Sequence, residues 1–377
     1  MLQENKKSVV SCVKCKDYKS VNTQAALRNA VDLIGGISKF VRPKSRVLLK
    51  PNLLMAIEPE SGVITHPEVI RATIRLLKEV DAKIYIGDSP SVWGKSQELK
   101  EVYRRSGIAA LAECEGVELV EFTAKGLKND LLLTSFLNNV DCVISISKLK
   151  THGLMTLTAA VKNLFGLIPG LYKSELHKKH FKIDDFAGRL VDIYELVKPC
   201  LNIVDAVDAM EGDGPGTGGD LRHVGLLLAG NDAIAIDSIL ARLIGVDPED
   251  IPTIRQARKR NLGNSDLESI TLRGESLNDV IIPDFKLPQP SIVQKIPRGL
   301  FSFLTGLIKY YPVINSKVCV KCGKCEIACP EKIIDIKRKH KIDYSNCIKC
   351  FCCLEVCPER AIAIKKSLVA KILGLRG

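Results

Sequence analysis

The sequence predicts an α/β fold, a mainly parallel sheet flanked by helices, followed by a small α+β module rich in cysteine. Three observations predict it. Short aliphatic runs alternate with helical periodicities as far as about residue 288, the pattern of buried parallel strands covered by helices. Two cysteine runs of matched spacing then fill residues 319–358. Between the two patterns, residues 286–300 (KLPQPSIVQKIPRGL) hold three prolines and read as a boundary. The expected division is 1–288 for the α/β body, 289–316 for a linker or docking segment, and 317–377 for the module. A length of 377 residues suits two domains. Aromatics make up only 5%, so aliphatic side chains must form most of the core.

The elements follow in order. Residues 9–13 (VVSCV) predict a strand, 21–38 a helix, and 46–50 (RVLLK) a second strand. Residues 66–80 predict a helix with Val69, Ile70, Ile74, Leu77 and Val80 on one side. Thr65 and Glu68 have capping-box spacing, and Pro67 falls in the first turn. Strands are expected at 83–88, 117–122, 142–148, 201–207 and 224–230. Helices are expected at 97–115, 156–166, 184–197, 232–244 and 252–261. Uneven intervals between strands argue against closure into a barrel. The polar stretch after Pro169 and Gly170, with Lys173, His177, Lys178, Lys179 and His180, reads as a lid or a solvated loop. Residues 301–314 are apolar enough to pack the module onto the body or to lie on a surface. No window of eighteen apolar residues predicts a membrane span.

Polar residues gather just past strand ends, where open α/β sheets bind ligands. Lys50 and Asn52 follow the second strand, and Asp88 follows the third. Lys148, Lys150 and His152 follow the run 142–147, and Asp205 leads into a glycine-rich segment, 212–219. With parallel strands these would face one crevice. The expected helix 156–166 would set Thr158 and Lys162 on one face, with Asn163 beside them. Lys150, His152, Lys162, Asp88 and Asp205 are the candidates for chemistry. Lys50, Asn52, Lys148, Thr158 and Asn163 are the candidates for substrate binding. So many potential cations suit a small anionic ligand, a phosphate or carboxylate. The segment GDGPGTGG lacks the Gly-Lys-Ser/Thr of a P-loop and the context of a dinucleotide fingerprint. It could still wrap an anion with its backbone N–H groups.

Cys319, Cys322, Cys325 and Cys329 form C-x2-C-x2-C-x3-C followed by Pro330, and Cys347, Cys350, Cys353 and Cys357 repeat it before Pro358. That is the spacing of a bacterial [4Fe–4S] ligand set. Four-cysteine zinc sites share the residue type, but two such runs with trailing prolines argue against them. Cys352 lies beside the second run and reads as a small buried residue. Cys12 and Cys15 read as structural thiols, and Cys114, Cys142 and Cys200 as core or near-core residues. The iron–sulfur spacing predicts a reducing environment, hence a cytoplasmic protein of an anaerobe or a low-oxygen compartment.

The net charge of +12 is concentrated. Residues 291–377 hold seventeen Lys and Arg against six Asp and Glu. Two thiolate-bound clusters would remove about four positive units. Lys321, Lys324, Lys337, Arg338, Lys339, Lys341 and Lys349 surround the cysteines and offer a docking face to an acidic redox protein partner. Basic patches interleaved with aromatics are missing, so nothing beyond charge points to nucleic acid.

Residues 317–360 resemble the bacterial-type 2[4Fe–4S] ferredoxin domain. In that family the fourth cysteine of each run serves the other cluster. The resemblance therefore implies Cys319, Cys322, Cys325 and Cys357 for one cluster, and Cys347, Cys350, Cys353 and Cys329 for the other. The body resembles the DUF362 family through LLKPNLL (48–54), THPEV (65–69), GDSP (87–90), KLKTHGLMTLTAAVKNLFG (148–166), DAVDAMEGDGPGTGG (205–219) and DAIAIDSILARLIG (232–245). Its members often carry a C-terminal ferredoxin domain. The full expectation is thus an α/β body followed by a small α+β ferredoxin-like two-cluster domain. Two functional readings stand: electron transfer through the clusters to a substrate or partner at the crevice, as in a ferredoxin-coupled oxidoreductase, or a non-enzymatic binding or assembly module for a metalloenzyme or an anionic cofactor precursor.

Overall fold

The computed structural model describes residues 7–90, 96–128, 130–170, 172–288, 310–336 and 341–367. Most of the expected linker (289–309) and the end of the module beyond residue 367 lie outside the described residues.

The strands of the body are β1 (Ser8–Lys14), β2 (Arg46–Pro51), β3 (Lys83–Gly87), β4 (Glu118–Val120), β5 (Ala124–Lys128), β6 (Leu131–Thr134), β7 (Cys142–His152), β8 (Thr156–Thr158), β9 (Leu201–Gly212), β10 (Gly219–Gly230) and β11 (Ile270–Gly274). One open sheet has the order β11–β1–β10–β9–β7–β2–β3–β4, with β8 folded back on β7. From β9 through β7, β2 and β3 to β4 every neighbour is parallel. β10 is antiparallel to both β9 and β1, while β11 is parallel to β1. The mainly parallel sheet is thus a mixed one. β9 and β10 each run beyond their apolar segments, leaving only residues 213–218 between them, and so short a link permits only antiparallel pairing. β5 and β6 form a separate antiparallel pair.

Both faces of the sheet are covered. In β2, Val47 and Leu49 enter one core while Leu48 enters the other, as the two-residue period of a strand requires. One core is closed by α1 (Ser20–Leu33), α2 (Pro67–Lys78), α3 (Ser96–Arg105) and α4 (Ile108–Glu115). The expected helix 97–115 is split into α3 and α4 because Gly107 adopts φ 73°, a left-handed turn that few other residues tolerate. The cap of α2 is His66, not Thr65: His66 Nδ1 accepts from Glu68 N at 3.2 Å. Thr65 instead accepts from Asn52 N and donates to Ile146 O, tying the start of α2 to the sheet.

The other core is closed by α5 (Ala160–Asn163), α6 (Tyr172–Lys179), α7 (Ile183–Val197), α8 (Ala233–Leu243) and α9 (Pro252–Lys259), with the short α10 (Leu277–Val280) at its edge. Asp232 caps α8, accepting from Ile234 N and Ala235 N. Two expectations change here. The helix expected at 156–166 starts only at Ala160, and Thr158 belongs to β8. The stretch expected as a lid or solvated loop is α6, with Lys173 and His177 buried. Cys114 is exposed rather than near-core, whereas Cys142 and Cys200 are half-buried.

The small module pairs β12 (Tyr310–Ile314) with β15 (Ile362–Lys366), and β13 (Ile334–Asp335) with β14 (Lys341–Ile342), both antiparallel. Two short helices, α11 (Lys324–Ala328) and α12 (Cys352–Glu355), complete it. Ile334, Ile336, Ile342, Leu354 and Ile362 form its core, against which Leu154 of the body packs. No helix among the described residues is long and apolar enough to cross a membrane.

Candidate functional site

The carboxyl ends of β2, β3, β7 and β9 lie side by side because these strands are parallel neighbours. β7 and β9 overrun the others, so Lys148, Lys150, His152 and Asp205 stand on strands rather than in loops. Three polar groupings result.

In the first, Lys50 Nζ donates to Asp88 Oδ1 at 2.7 Å, Asn163 Oδ1 at 3.2 Å and Pro51 O at 2.8 Å. Asp88 also accepts from Leu53 N at 2.8 Å and Ser89 N at 2.9 Å. Burial pulls the Lys50 amine below its ordinary range, and Asp88 opposes that pull. Gly166 is obligatory here, since a Cβ would overlap Asp88 Oδ1 and Lys50 Nζ.

In the second, Lys148 Nζ lies 2.9 Å from Asp205 Oδ2 and 2.6 Å from the Tyr18 hydroxyl, which itself donates to Asp205 Oδ1 at 2.8 Å. His66 N adds a bond to Asp205 Oδ2 at 3.0 Å, and the His66 ring stacks on Tyr18 at 3.7 Å. Burial and then Asp205 push the Tyr18 hydroxyl far above its usual range, so it stays protonated. The sequence reading made neither Tyr18 nor His66 a site residue, although His66 lies in the motif THPEV (65–69); they arrive from a loop after β1 and from the cap of α2.

The third grouping is the pocket proper. Lys150 Nζ donates to Asn52 Oδ1 and Val63 O, both at 2.7 Å, and burial, helped by Lys162, pulls it down to about 7. His152 Nδ1 accepts from Leu154 N and Met155 N, which closes the β7–β8 turn and leaves the ring proton on Nε2. That Nε2 lies 3.1 Å from Glu355 Oε1 of α12, close but not aligned for a hydrogen bond. Burial and Lys162 pull His152 down to about 4, keeping the imidazole neutral. Burial opposes the Glu355 charge, but His152, Lys162 and His177 outweigh it and hold the carboxyl at about 2. Lys173 donates to Ser89 O, with Pro90 O at 3.4 Å, and burial pulls it to about 7. His177 is stacked on Phe186 at 4.1 Å and is pulled by burial to about 3. Thr158 Oγ1 is buried without a hydrogen-bond partner. The Lys162 amine, 5.7 Å above the Phe165 ring, has no hydrogen-bond acceptor among the described residues.

The remaining wall of this pocket comes from the cysteine module: Cys352, Glu355 and Val356. Nothing in the spacing of the second cysteine run distinguishes Glu355, which the sequence reading missed. The glycine-rich segment, expected as an anion wrap, is the bed on which α12 rests. A Cβ on Gly216 would lie 2.6 Å from Glu355 O, and one on Gly214 the same distance from Thr151 O. Thr217 Oγ1 donates to Cys357 O at 2.6 Å, and Arg360 donates to Gly219 O at 3.0 Å.

Within the module, Cys329, Cys347, Cys350 and Cys353 line one cavity. Burial first, then Cys322 and Cys357, push the Cys325 thiol up to about 12. Among the described residues no three His, Cys, Asp or Glu side chains converge on a single-ion position. An iron–sulfur cuboid binds each thiolate through a different iron, so its ligands surround a volume instead. The four thiols around the cavity, Cys329, Cys347, Cys350 and Cys353, fit that requirement. Cys12 and Cys15 are buried, which pushes them to about 12 and about 11, thiols rather than nucleophiles. Cys352 faces the polar pocket and does not line the four-thiol cavity.

Comparison with known proteins places these features. A family model described as a domain of unknown function, DUF362, matches residues 47–242, and a 4Fe-4S dicluster domain model matches residues 311–358. The chain is 34% identical over 309 residues to the "Thylakoid-associated protein sll1697" of Synechocystis sp., covering 80% of this chain and 94% of that protein. The lactate racemase apoprotein from Thermoanaerobacterium thermosaccharolyticum aligns with a TM-score of 0.37 at 10% identity, over 63% of this chain and 57% of that one. That likeness is too slight to carry an argument.

Proposed function

From the premise that the chain belongs to the DUF362 family and carries a 4Fe-4S dicluster domain, we propose that it is an iron–sulfur redox protein in which two [4Fe–4S] clusters supply one-electron transfer to a substrate or partner at the polar crevice. Cys319, Cys322, Cys325 and Cys357 would hold one cluster, and Cys347, Cys350, Cys353 and Cys329 the other. The observation that carries the reading is the shared wall: α12 brings Glu355 and Cys352 into the pocket that Lys50, Lys150 and Lys162 line. The residues of the body bind and orient an anion there, and α12 shields it from solvent. A reducing cytoplasm suits the chemistry. Association with thylakoids, which the relative's name states of that protein, suggests a membrane as the other location, and fractionation separates the two.

The redox partner is an acidic electron-carrier protein. Val318, Val320, Cys322 and Ile327 are exposed, and the exposed Lys317, Lys321 and Lys324 are interspersed with them along the chain. Apolar residues ringed by ammonium groups complement an acidic partner.

The test is anaerobic purification with iron and sulfide counts, then EPR after reduction. Two intact clusters require about eight irons per chain. A count that stays near four or below after reconstitution overturns the assignment. A binding or assembly module is the second reading, favoured by the internal hydrogen bonding that already engages Lys50, Lys148 and Lys150. A stoichiometric co-purifying partner, without redox turnover across a substrate panel, would select it.

A further inference from the structure

The lysines at the crevice are not equivalent. Lys50 has three acceptors, Lys148 has Asp205 and Tyr18, Lys150 has Asn52 and Val63, and Lys173 has two backbone carbonyls. Their ammonium protons are directed inward and hold the strand ends together. Lys162 differs: its amine borders the pocket with an aromatic face beneath it and no acceptor among the described residues. Thr158, 3% exposed, borders the same space with a hydroxyl that has no partner. A buried hydroxyl left without a partner is costly, and the cost is removed when a ligand supplies an acceptor. The pocket's two carboxylates, Asp88 and Glu355, face four lysines whose amines burial pulls down, Lys162 among them, so an entering anion would favour their charged forms.

Size narrows the ligand. The cavity measures about 70 Å³. At roughly 10–15 Å³ for each water-sized occupant, that is room for about five heavy atoms. A nucleotide or a phosphorylated coenzyme would have to leave most of its atoms outside this space while α12 forms the wall.

We propose that the pocket binds a small oxyanion of about four to six heavy atoms, held by Lys162 and Thr158 against the cluster-bearing helix α12. This rests on the reading of the crevice as an anion site; it keeps the binding role expected of Thr158, gives one to Lys162, and withdraws it from Lys50 and Lys148, which are engaged within the protein. Carboxylates and tetrahedral oxyanions share the chemistry that this pair recognises.

The test uses the full chain purified anaerobically, with iron content and EPR recorded on every sample. Formate, acetate, bicarbonate, sulfate and phosphate are titrated at constant ionic strength set by chloride, with adenosine monophosphate as the oversized probe, and thermal stability is the readout. The expected result is a saturable rise in melting temperature with one class of small oxyanion and none with the nucleotide. Which salts act tells a carboxylate site from a tetrahedral one. Lys162→Met is expected to weaken binding at least tenfold, Lys162→Arg to restore part of it, and Thr158→Val to weaken it several-fold, all with unchanged iron content. Should Lys162→Met lose its clusters, Thr158→Val carries the test alone, because it preserves shape and deletes only the donor. Equal affinity in Thr158→Val, or no response to any small oxyanion beyond chloride, overturns the proposal. A low iron count with intact anion binding would instead sink the two-cluster reading and leave this one standing.

Discussion

At the scale of single residues, the crevice is held by buried charge whose partners are already present. Lys50 and Asp88 are almost wholly buried and face each other at 2.7 Å. Removing one charge from such a pair leaves the other uncompensated, at a cost of about 3–5 kcal/mol. Asp88→Asn is therefore expected to lose about that much stability in anaerobic urea unfolding, and a loss below about 1 kcal/mol would show that Lys50 is neutral already. Gly166→Ala should resemble it, since its methyl group would have to displace the same pair. Lys150 and Lys173 add a pH dependence. Both are pulled to about 7, chiefly by burial; Lys162, Lys148, Asp88 and Glu355 face Lys150, and Asp88, Lys50 and Lys162 face Lys173. An unfolded lysine titrates near 10.4. Between about pH 7 and pH 10 the unfolded chain thus holds more protons, and stability must rise with pH across that window. Lys150→Met should flatten the rise in unfolding free energy measured from pH 7 to pH 9.5. The sequence placed Lys50 and Asp88 correctly at strand ends because polar residues directly after apolar runs are local signals, whereas Lys148 and Asp205 lie inside β7 and β9, which run on past their apolar segments. Tyr18, His66 and Glu355 lie far away in the chain from what they touch; no local pattern marks Tyr18 or Glu355, and the motif around His66 gives no sign that it reaches Tyr18 and Asp205.

At the scale of elements, the segment 213–218 shows that a glycine-rich composition serves more than one end. Its glycines suit an anion wrap, yet a Cβ on Gly216 would collide with the backbone of Glu355, so here they permit two backbones to approach. Gly216→Ala is expected to loosen α12 while both units stay folded. Amide exchange over residues 352–360 should quicken by about tenfold, the kinetic image of ~1.4 kcal/mol, with exchange in β2 and β7 unchanged. Protection at wild-type level would mean that the contact is not needed. Most strands were legible because a doubly covered sheet demands unbroken apolar runs. The expected helix at 156–166 failed for a definite reason. Leu157, Ala160, Val161 and Leu164 have helical spacing, but His152 Nδ1 binds Leu154 N and Met155 N and forces a turn. The apolar period then continues across a hairpin into α5. The second half of β9 and the first half of β10 were missed because their polar residues hide pairing that only the partner strand satisfies.

At the scale of the whole molecule, the module has one face committed to the body and another left to solvent. Glu355 and Cys352 are turned into the crevice, and Thr217 and Arg360 bond across the junction. Val318, Val320, Ile327 and Cys322 remain exposed among lysines. A protein that receives electrons on one face and uses them at another needs this asymmetry, and the concentration of positive charge in residues 291–377 agrees with it. Steering by that charge is an on-rate effect that salt screens, with a Debye length near 8 Å at 0.15 M. Reduction by an acidic carrier such as a flavodoxin should therefore slow steeply between 20 mM and 300 mM salt, about tenfold or more by the magnitudes of electrostatic steering. The double variant Lys321→Glu, Lys324→Glu should be slow at low salt and nearly insensitive to salt, with its iron content preserved. Its reduction by dithionite, a small reagent that needs no docking face, should match the wild type. If both variant and wild type showed the same salt dependence with the protein carrier, the electrons would have to enter elsewhere, and the exposed apolar patch would need another occupant.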